Sequence, residues 1–245
     1  MPRFHVDLPL ATRLETTLPA AAARHVQVLR LQPGATLTLF DGQGCDWDCE
    51  LLSIGRSEVR VRIGQARAVD RELPIGVTLA LGMPANDRMD WLVEKATELG
   101  VATIQPLLCE RSVLRLAGER AERRLIHWRG VAAAAAEQCG RSRLPRLAPV
   151  RSFGEWLGAL GSPTGQTRFV LSLAEGTQAY ADALRPALHA ANGLLFLSGP
   201  EGGLSEAEDA AARTAGLQPV TLGPRVLRAE TAPLLALGAL AALFA

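Results

Sequence analysis

The 245-residue sequence has few of the residues that build metal or disulfide sites. Its four cysteines, at positions 45, 49, 109 and 139, form no C-x-x-C pair, so a zinc site of closely spaced thiolates is not expected. The four histidines are scattered and show no metal-ligand spacing. We therefore expect no metal cofactor and free thiols in a reducing compartment.

The sequence also has no large net charge and no apolar run long enough to span a membrane. Lys95 is the only lysine, and the 26 basic residues nearly balance 25 acidic ones, which excludes a globally basic nucleic-acid binder but not a local basic patch. The N-terminus does not look like a secretory signal. The longest apolar run, PLLALGALAALFA at 233–245, is too short to span a bilayer. We expect a cytoplasmic protein without a membrane partner.

The pattern of apolar residues predicts two domains. Residues 1–70 contain alternating runs such as ATLTLFDG (35–42) and EVRVRIGQ (58–65), with one short helix at 21–31, which indicates a small β-barrel or sandwich. Residues 68–74, AVDRELP, are predicted to form the linker between the two domains. From 74 to 245, short apolar runs alternate with helical segments, which favours an α/β domain with a mostly parallel sheet.

One helix of the second domain is well marked. Apolar residues recur on one face, at Met89, Leu92, Val93, Ala96 and Leu99. Asn86 or Asp87 is expected to cap its start, and Gly100 to end it.

A glycine-rich turn follows a strand-like run in FLSGPEGGLSEAE (196–208). Ser205 and Glu208 have the S-x-x-E spacing of a capping box, which predicts a helix start near Glu206. The turn lacks the glycine spacing of a dinucleotide site and the G-K-[ST] of a phosphate-binding loop. It is either a tight turn without a ligand or one wall of a binding site at the carboxyl edge of the sheet.

A second segment, LGPRVLRAETAPLLAL (222–237), repeats this design. A strand ends in Gly-Pro, a loop with Arg225, Arg228 and Glu230 follows, and an apolar helix comes next. Because the carboxyl ends of parallel strands meet at one edge, a pocket shared by the two turns is plausible. The alternative is a structural Arg-Glu pair.

Five motifs in this order resemble one known family. The segments VEKATELGV (93–101), ERSV (110–113), EQCGRSRLP (137–145), SGPEGGLSEAE (198–208) and LGPRVLRAETA (222–232) are similar to those of the RsmE family, the 16S rRNA uracil-N3 methyltransferases. The resemblance extends to LRLQPGATLTLFDG (29–42). It implies a SPOUT methyltransferase domain with a trefoil knot at 74–245, preceded by a PUA-like RNA-binding β-barrel at 1–70.

The resemblance also implies activity and partners. The methyl donor would be S-adenosylmethionine, and the substrate uridine 1498 of 16S rRNA within the small ribosomal subunit. The enzyme would be a homodimer. One wall of the donor site would be formed by Leu197, Gly199, Glu201 and Gly202. The opposing loop would supply Leu222, Gly223, Leu227 and Arg228.

The chemistry at uracil assigns roles to the polar residues of these loops. N3 carries a weakly acidic proton that must leave, and negative charge develops on the imide oxygens. Arg225 or Arg228 is expected to stabilise that charge. Glu230 is expected to accept the proton or to position an arginine, with Glu201 as the second candidate for the base.

The RNA needs a basic surface, and residues 110–151 carry ten arginines against four acidic residues. The first cluster, RLAGERAERRLIHWRG (115–130), fits a solvated helix face as well as an RNA-binding one. The second, GRSRLPR (140–146), is interpreted as RNA-binding through Arg141 and Arg143. Arg3, Arg24 and Arg30 are the candidates in the first domain.

Two other functions remain open at this point. The chain could be a non-catalytic RNA-binding assembly factor on the same fold, although both Gly-Pro turns and the Arg-Glu segment are intact. It could also be a SPOUT enzyme that methylates another RNA position, since a fold does not fix a substrate.

Overall fold

A computed structural model describes residues 1–56, 58–85, 87–161, 165–190 and 192–244. The chain forms two compact units. The first comprises Met1–Glu72 and Ala133–Leu144, and the second comprises Leu73–Ala132 and Pro145–Ala245.

The first unit is built on a mixed five-stranded sheet. Its elements are β1 (Arg3–His5), β2 (Glu15–Thr17), α1 (Ala20–Val28), β3 (Thr36–Phe40), β4 (Cys45–Ile54) and β5 (Val59–Ala68). The strand order is β1-β3-β4-β5-β2. β1 pairs with β3 in parallel, and the other neighbours are antiparallel. The predicted β-rich character of this part is confirmed.

Alternation along the strands explains which face of this sheet is buried. In β5, Val59, Val61 and Ile63 are fully buried, while the arginines between them are exposed. They pack with Leu37 and Leu39 of β3 in one apolar core. The pairing of β4 with β5 shifts register twice, between Trp47 and Cys49 and between Leu51 and Ser53.

The segment 133–144 joins the first unit through buried polar contacts. Arg141 is 3% exposed, and its guanidinium forms an ion pair with Glu72. Ser142 donates a hydrogen bond to the buried carboxylate of Asp46, which also pairs with Arg3. Much of the EQCGRSRLP motif is therefore tied to the N-terminal sheet by charge and hydrogen bonding.

The second unit alternates strands and helices. In chain order its elements are β6 (Gly76–Gly82), α2 (Asp87–Glu98), β7 (Thr103–Leu108), α3 (Gly118–Cys139, whose end belongs to the first unit), β8 (Arg146–Leu147), β9 (Arg151–Ser152), α4 (Phe153–Gly158), β10 (Gln166–Leu171), β11 (Gln178–Ala179), α5 (Tyr180–Ala190), β12 (Gly193–Ser198), α6 (Glu206–Thr214), β13 (Gln218–Thr221) and α7 (Thr231–Ala241).

All strand pairs of this unit are parallel, as predicted. The order is β11-β13-β10-β12-β6-β7-β8, with β9 also paired to β7. β10, β12 and β13 are neighbours, so their carboxyl ends meet at one edge. The trefoil knot stays a prediction.

The predicted helix after β6 is confirmed as α2. Met89, Leu92, Val93 and Ala96 are fully buried, and Gly100 has the positive φ of +91° that favours glycine after a helix. Asn86, one of the two expected caps, lies outside the described residues. Within the described part of the chain, no helix has both the length and the hydropathy to cross a lipid bilayer.

Candidate functional site

Three loops enclose a cavity of about 960 Å³ at the carboxyl edge of the parallel sheet. Most of the residues that line it lie at and after the carboxyl ends of β10 (residues 171–175), β12 (198–206) and β13 (222–229). Both glycine-proline turns singled out in the sequence therefore border the same space. The loop after β10 forms a third wall that the sequence did not indicate.

The glycines after β12 are needed for the turn to fold back on itself. A Cβ at Gly199 would lie 2.6 Å from the backbone nitrogen of Leu204, closer than real Cβ atoms approach. Gly203 has φ of +69° and donates its N–H to the carbonyl of Pro200 at 2.8 Å. A Cβ at Gly82, at the end of β6, would meet Pro200 at 2.5 Å. The turn thus presents backbone to the cavity because its own close packing excludes side chains.

The predicted capping box fixes the start of the next helix. The Ser205 hydroxyl accepts from the Glu208 N–H at 3.2 Å, and the Glu208 carboxylate accepts from the Ser205 N–H at 3.0 Å. Helix α6 begins at Glu206, which confirms the prediction. The other Glu208 oxygen accepts from the Glu110 N–H at 2.8 Å, so the ERSV motif is joined to this helix start.

The ERSV segment also supports the turn from outside. Arg111 donates to the carbonyls of Gly202 at 3.1 Å and Leu204 at 3.4 Å. Beside it, burial and the nearby Glu208 carboxylate raise the pKa of the Cys109 thiol to about 12. This cysteine therefore stays protonated at neutral pH and has a structural role here.

The arginines of the loop after β13 are exposed to solvent. Arg225 and Arg228 are exposed and line the cavity, whereas Leu222 and Leu227 are half-buried. Gly223 has φ of +109°, a value that disfavours a side chain there. Neither Arg225 nor Arg228 forms an ion pair with a described residue.

Arg88 connects the two candidate bases, and sequence reasoning missed it. Its guanidinium lies 3.4 Å from Glu201 Oε1 and 4.0 Å from Glu230 Oε1. Glu201 Oε1 also accepts the Ala85 N–H at 2.8 Å. Glu230 is buried, and its Oε2 has no hydrogen-bond partner among the described residues. The arginine that faces Glu230 is therefore Arg88, 142 positions away in sequence.

A second charged cluster lies on the α6 side of the cavity and was also missed. Arg213 pairs with Asp209 at 2.6 Å, one helical turn earlier. It also donates to the Glu175 carbonyl at 3.2 Å, so it ties α6 to the loop after β10. The i, i+4 spacing of Asp209 and Arg213 is the only signal that the sequence offers for it.

The cavity brings together most of the residues that the sequence analysis assigned to the donor site or to the chemistry at uracil. Those that line it are Gly199, Glu201, Gly202, Leu222, Arg225, Leu227 and Arg228. Leu197 is fully buried in the core under the loop, and Gly223 and Glu230 are not part of the lining.

The candidate RNA-binding arginines differ in exposure. Arg24, Arg30 and Arg143 are exposed. Arg3 is largely buried between Asp46 and the Phe40 ring, and Arg141 is buried against Glu72. The placement of Arg3 and Arg141 favours a structural role for both.

In the described segments, no cluster of three or more His, Cys, Asp or Glu side chains could hold a metal ion. The cavity is instead lined by apolar side chains, peptide groups and a few charged residues. Such a lining is typical of a site for an organic ligand.

Comparison with known proteins connects this geometry to a family. An RNA methyltransferase domain model matches residues 71–241, and an RNA methyltransferase PUA domain model matches residues 18–64. The ribosomal RNA small subunit methyltransferase E of Bacillus subtilis is 35% identical over 88% of this chain and 84% of its own length. The protein of the same name from Synechocystis is 34% identical over 93% of this chain and 73% of its own.

A solved structure gives the same result in three dimensions. The crystal structure of ribosomal RNA small subunit methyltransferase E from Neisseria gonorrhoeae, bound to S-adenosyl methionine, superposes with a TM-score of 0.91 at 37% identity. The match covers 100% of this chain and 98% of that one. The chain therefore belongs to the ribosomal RNA small subunit methyltransferase E family.

Proposed function

We propose that this protein transfers a methyl group from S-adenosylmethionine to N3 of one uridine, uridine 1498, in 16S rRNA of the small ribosomal subunit. The observation that carries the proposal is the shared cavity. Two family motifs, SGPEGGLSEAE and LGPRVLRAETA, border the same space and bring Glu201, Arg225 and Arg228 to it.

The cavity suits S-adenosylmethionine in size and chemistry. Its volume of about 960 Å³ is at the upper end of the usual range for small-molecule sites. Leu171, Leu222 and Leu227 offer apolar walls for an adenine ring, and the turn after β12 offers peptide groups for its polar edge. When bound there, the donor supplies an activated methyl group.

Arg225 and Arg228 supply positive charge at the mouth of this cavity. Deprotonation of N3 places negative charge on the two neighbouring uracil oxygens. A guanidinium stays protonated and can donate to those oxygens, but it cannot accept the N3 proton. Both side chains are exposed, so they can reach a base that enters from solvent.

The contacts favour Glu201 as the proton acceptor and Glu230 as a positioning residue. Glu201 lines the cavity, and its Oε1 is held by the Ala85 N–H and Arg88. Its Oε2 accepts no hydrogen bond from a described residue and is available to a substrate. Glu230 is buried and faces Arg88, so it acts through that arginine.

The target uridine must be unpaired or turned outward. N3 lies on the Watson–Crick edge, which a base pair hides. An enzyme that reads RNA this way needs contacts to the surrounding backbone, and the exposed Arg24, Arg30 and Arg143 are candidates in the first unit.

We also propose that the working enzyme is a homodimer in the cytoplasm, where ribosomal subunits are assembled. Helix α7 is apolar on all sides, and three large apolar side chains, one in α7 and two in the three residues after it, are exposed in the single chain. These are Leu235, Leu243 and Phe244, with exposed fractions of 41%, 60% and 42%. A second copy of the chain would cover them.

A methyl-transfer assay tests the proposed reaction. Purified protein and labelled S-adenosylmethionine are mixed with small subunits from cells that lack this enzyme, and with large subunits as the control substrate. We expect label only in small-subunit rRNA. Donor binding without transfer to small subunits would contradict the proposal and favour another RNA or a non-catalytic role.

A further inference from the structure

A second cavity, of about 260 Å³, lies outside the donor site. It is lined by Leu114 and Leu116 from the loop before α3, and by Arg120, Arg123 and Arg124 from its first two turns. Leu116 is buried, so the cavity has an apolar side and a strongly basic side. Three guanidinium groups around one small depression indicate an anionic ligand.

Most of this positive charge is not neutralised within the protein. Arg123 pairs with Glu119 at 3.6 Å, a weak exposed contact. Arg120 and Arg124 form no ion pair or hydrogen bond with any residue that the structure describes. Glu122, the other acidic residue of this stretch, is two positions from Arg120 and projects from nearly the opposite side of the helix.

The basic cavity is continuous in sequence with the rim of the donor cavity. Arg111 donates to the carbonyls of Gly202 and Leu204 in the turn after β12. Arg115 follows and donates to the Glu110 carbonyl at 3.1 Å. The side chains of Arg111, Arg115 and Arg120 are exposed, so positive charge extends from the turn to the start of α3.

We propose that Arg120 and Arg124 bind phosphodiester groups of the RNA substrate. The inference rests on the proposed function, because it takes RNA as the ligand. RNA fits better than a small anion, since the cavity is open and the arginines extend beyond it along an exposed segment. Guanidinium groups bind phosphate oxygens through paired N–H donors. These two arginines of the cluster that the sequence left undecided, 115–130, are thereby assigned to RNA.

The salt dependence of RNA affinity tests this assignment. The variants are Arg120→Gln, Arg124→Gln and both together, which remove charge but keep a long polar side chain. Arg185→Gln is the matched control, because Arg185 is exposed on α5 of the same unit and has no described partner. The probes are small subunits from cells that lack the enzyme, a random-sequence single-stranded RNA and inorganic phosphate.

Each lost phosphate contact should lower the slope of log affinity against log salt by about 0.7 to 0.9. Raising the salt from 50 to 200 mM should therefore weaken RNA binding about threefold less in each single variant than in wild type. S-adenosylmethionine affinity should stay within about twofold of wild type, which shows that the donor site is intact.

Slopes equal to those of wild type and Arg185→Gln would overturn the proposal. A reduction in Arg185→Gln equal to those in Arg120→Gln and Arg124→Gln would overturn it too, because the lower slope would then reflect net charge and not a local phosphate contact. Tight phosphate binding with unchanged RNA slopes would assign the cavity to a free anion instead. RNA binding is measured without catalysis, so failure of the proposed methylation would be seen separately.

Discussion

At the scale of single residues, the arginines that line the cavity differ in their ion pairs. Arg225 and Arg228 are exposed and unpaired with described residues, while Arg88 is held between two carboxylates. Sequence reasoning found the first two because they lie in one motif. It could not find Arg88, because its partners Glu201 and Glu230 are more than a hundred positions away.

Loss of Arg225 or Arg228 should affect turnover more than donor binding. Arg225→Ala and Arg228→Ala each remove a charged donor from the cavity mouth, and such a hydrogen bond contributes about 1.5–3 kcal/mol. We expect kcat to fall about 10- to 100-fold in at least one variant, with S-adenosylmethionine affinity changed much less. Single-turnover kinetics and calorimetry separate the two, and wild-type turnover in both variants would contradict the electrostatic role.

Loss of Arg88 should impair turnover by releasing two carboxylates. In Arg88→Ala, Glu201 loses its guanidinium and Glu230 stays buried without a described cation, so we expect kcat to fall about tenfold or more. Arg88→Lys keeps the charge without the planar fork and should recover part of the rate. Equal rates for the alanine and lysine variants would show that the charge of Arg88 has no part in positioning.

The four cysteines should differ in their reaction with iodoacetamide. Burial raises the pKa of Cys49 to about 11 and that of Cys109 to about 12, so at pH 8 no more than about 0.1% of either is thiolate. Cys45 and Cys139 are only half-buried and should be alkylated first. The alkylation of Cys49 and Cys109 should become faster as the pH rises. Peptide mass spectrometry gives the order, and denatured protein, in which all four are accessible, is the control.

At the scale of elements, the sequence predicted the long strands and helices but not every wall of the site. β3, β5, α2 and the start of α6 follow from apolar alternation, helical periodicity and a capping box. The two-residue strands β8, β9 and β11 are too short for any period. The loop after β10 carries no glycine-proline signal, and tertiary contacts with Arg213 bring it to the cavity.

The turn after β12 should not tolerate even one added methyl group at its first glycine. Gly199→Ala would press a Cβ against the Leu204 nitrogen, and we expect a loss of about 1–3 kcal/mol in the free energy of unfolding. The matched control is Gly154→Ala in α4, where a Cβ meets nothing within 4 Å and helix propensity should improve stability slightly. Urea denaturation of both variants measures the difference, and equal midpoints would contradict the packing described for the turn.

At the scale of the whole molecule, the exposed apolar end of the chain should mediate self-association. Analytical ultracentrifugation of the wild-type protein should give a mass of about twice that of the chain, which is 26.1 kDa. A double variant with Leu243→Glu and Phe244→Glu should shift the equilibrium toward monomer, because two charges would be placed in an apolar interface. Val28→Glu, at an exposed apolar position of the first unit, is the control and should leave the dimer intact. A wild-type monomer at micromolar concentration would contradict the proposed homodimer.

Family membership is shown by similarity along most of the chain, whereas the proposed target atom, uracil N3, is argued from a few side chains of the cavity. The most direct test is nucleoside analysis of the methylated small-subunit rRNA by mass spectrometry, after digestion and fragment mapping. We expect 3-methyluridine at one position, and none when Arg225 and Arg228 are both replaced by alanine. A methylated ribose, or a methyl group on another base, would contradict the proposed chemistry at uracil N3.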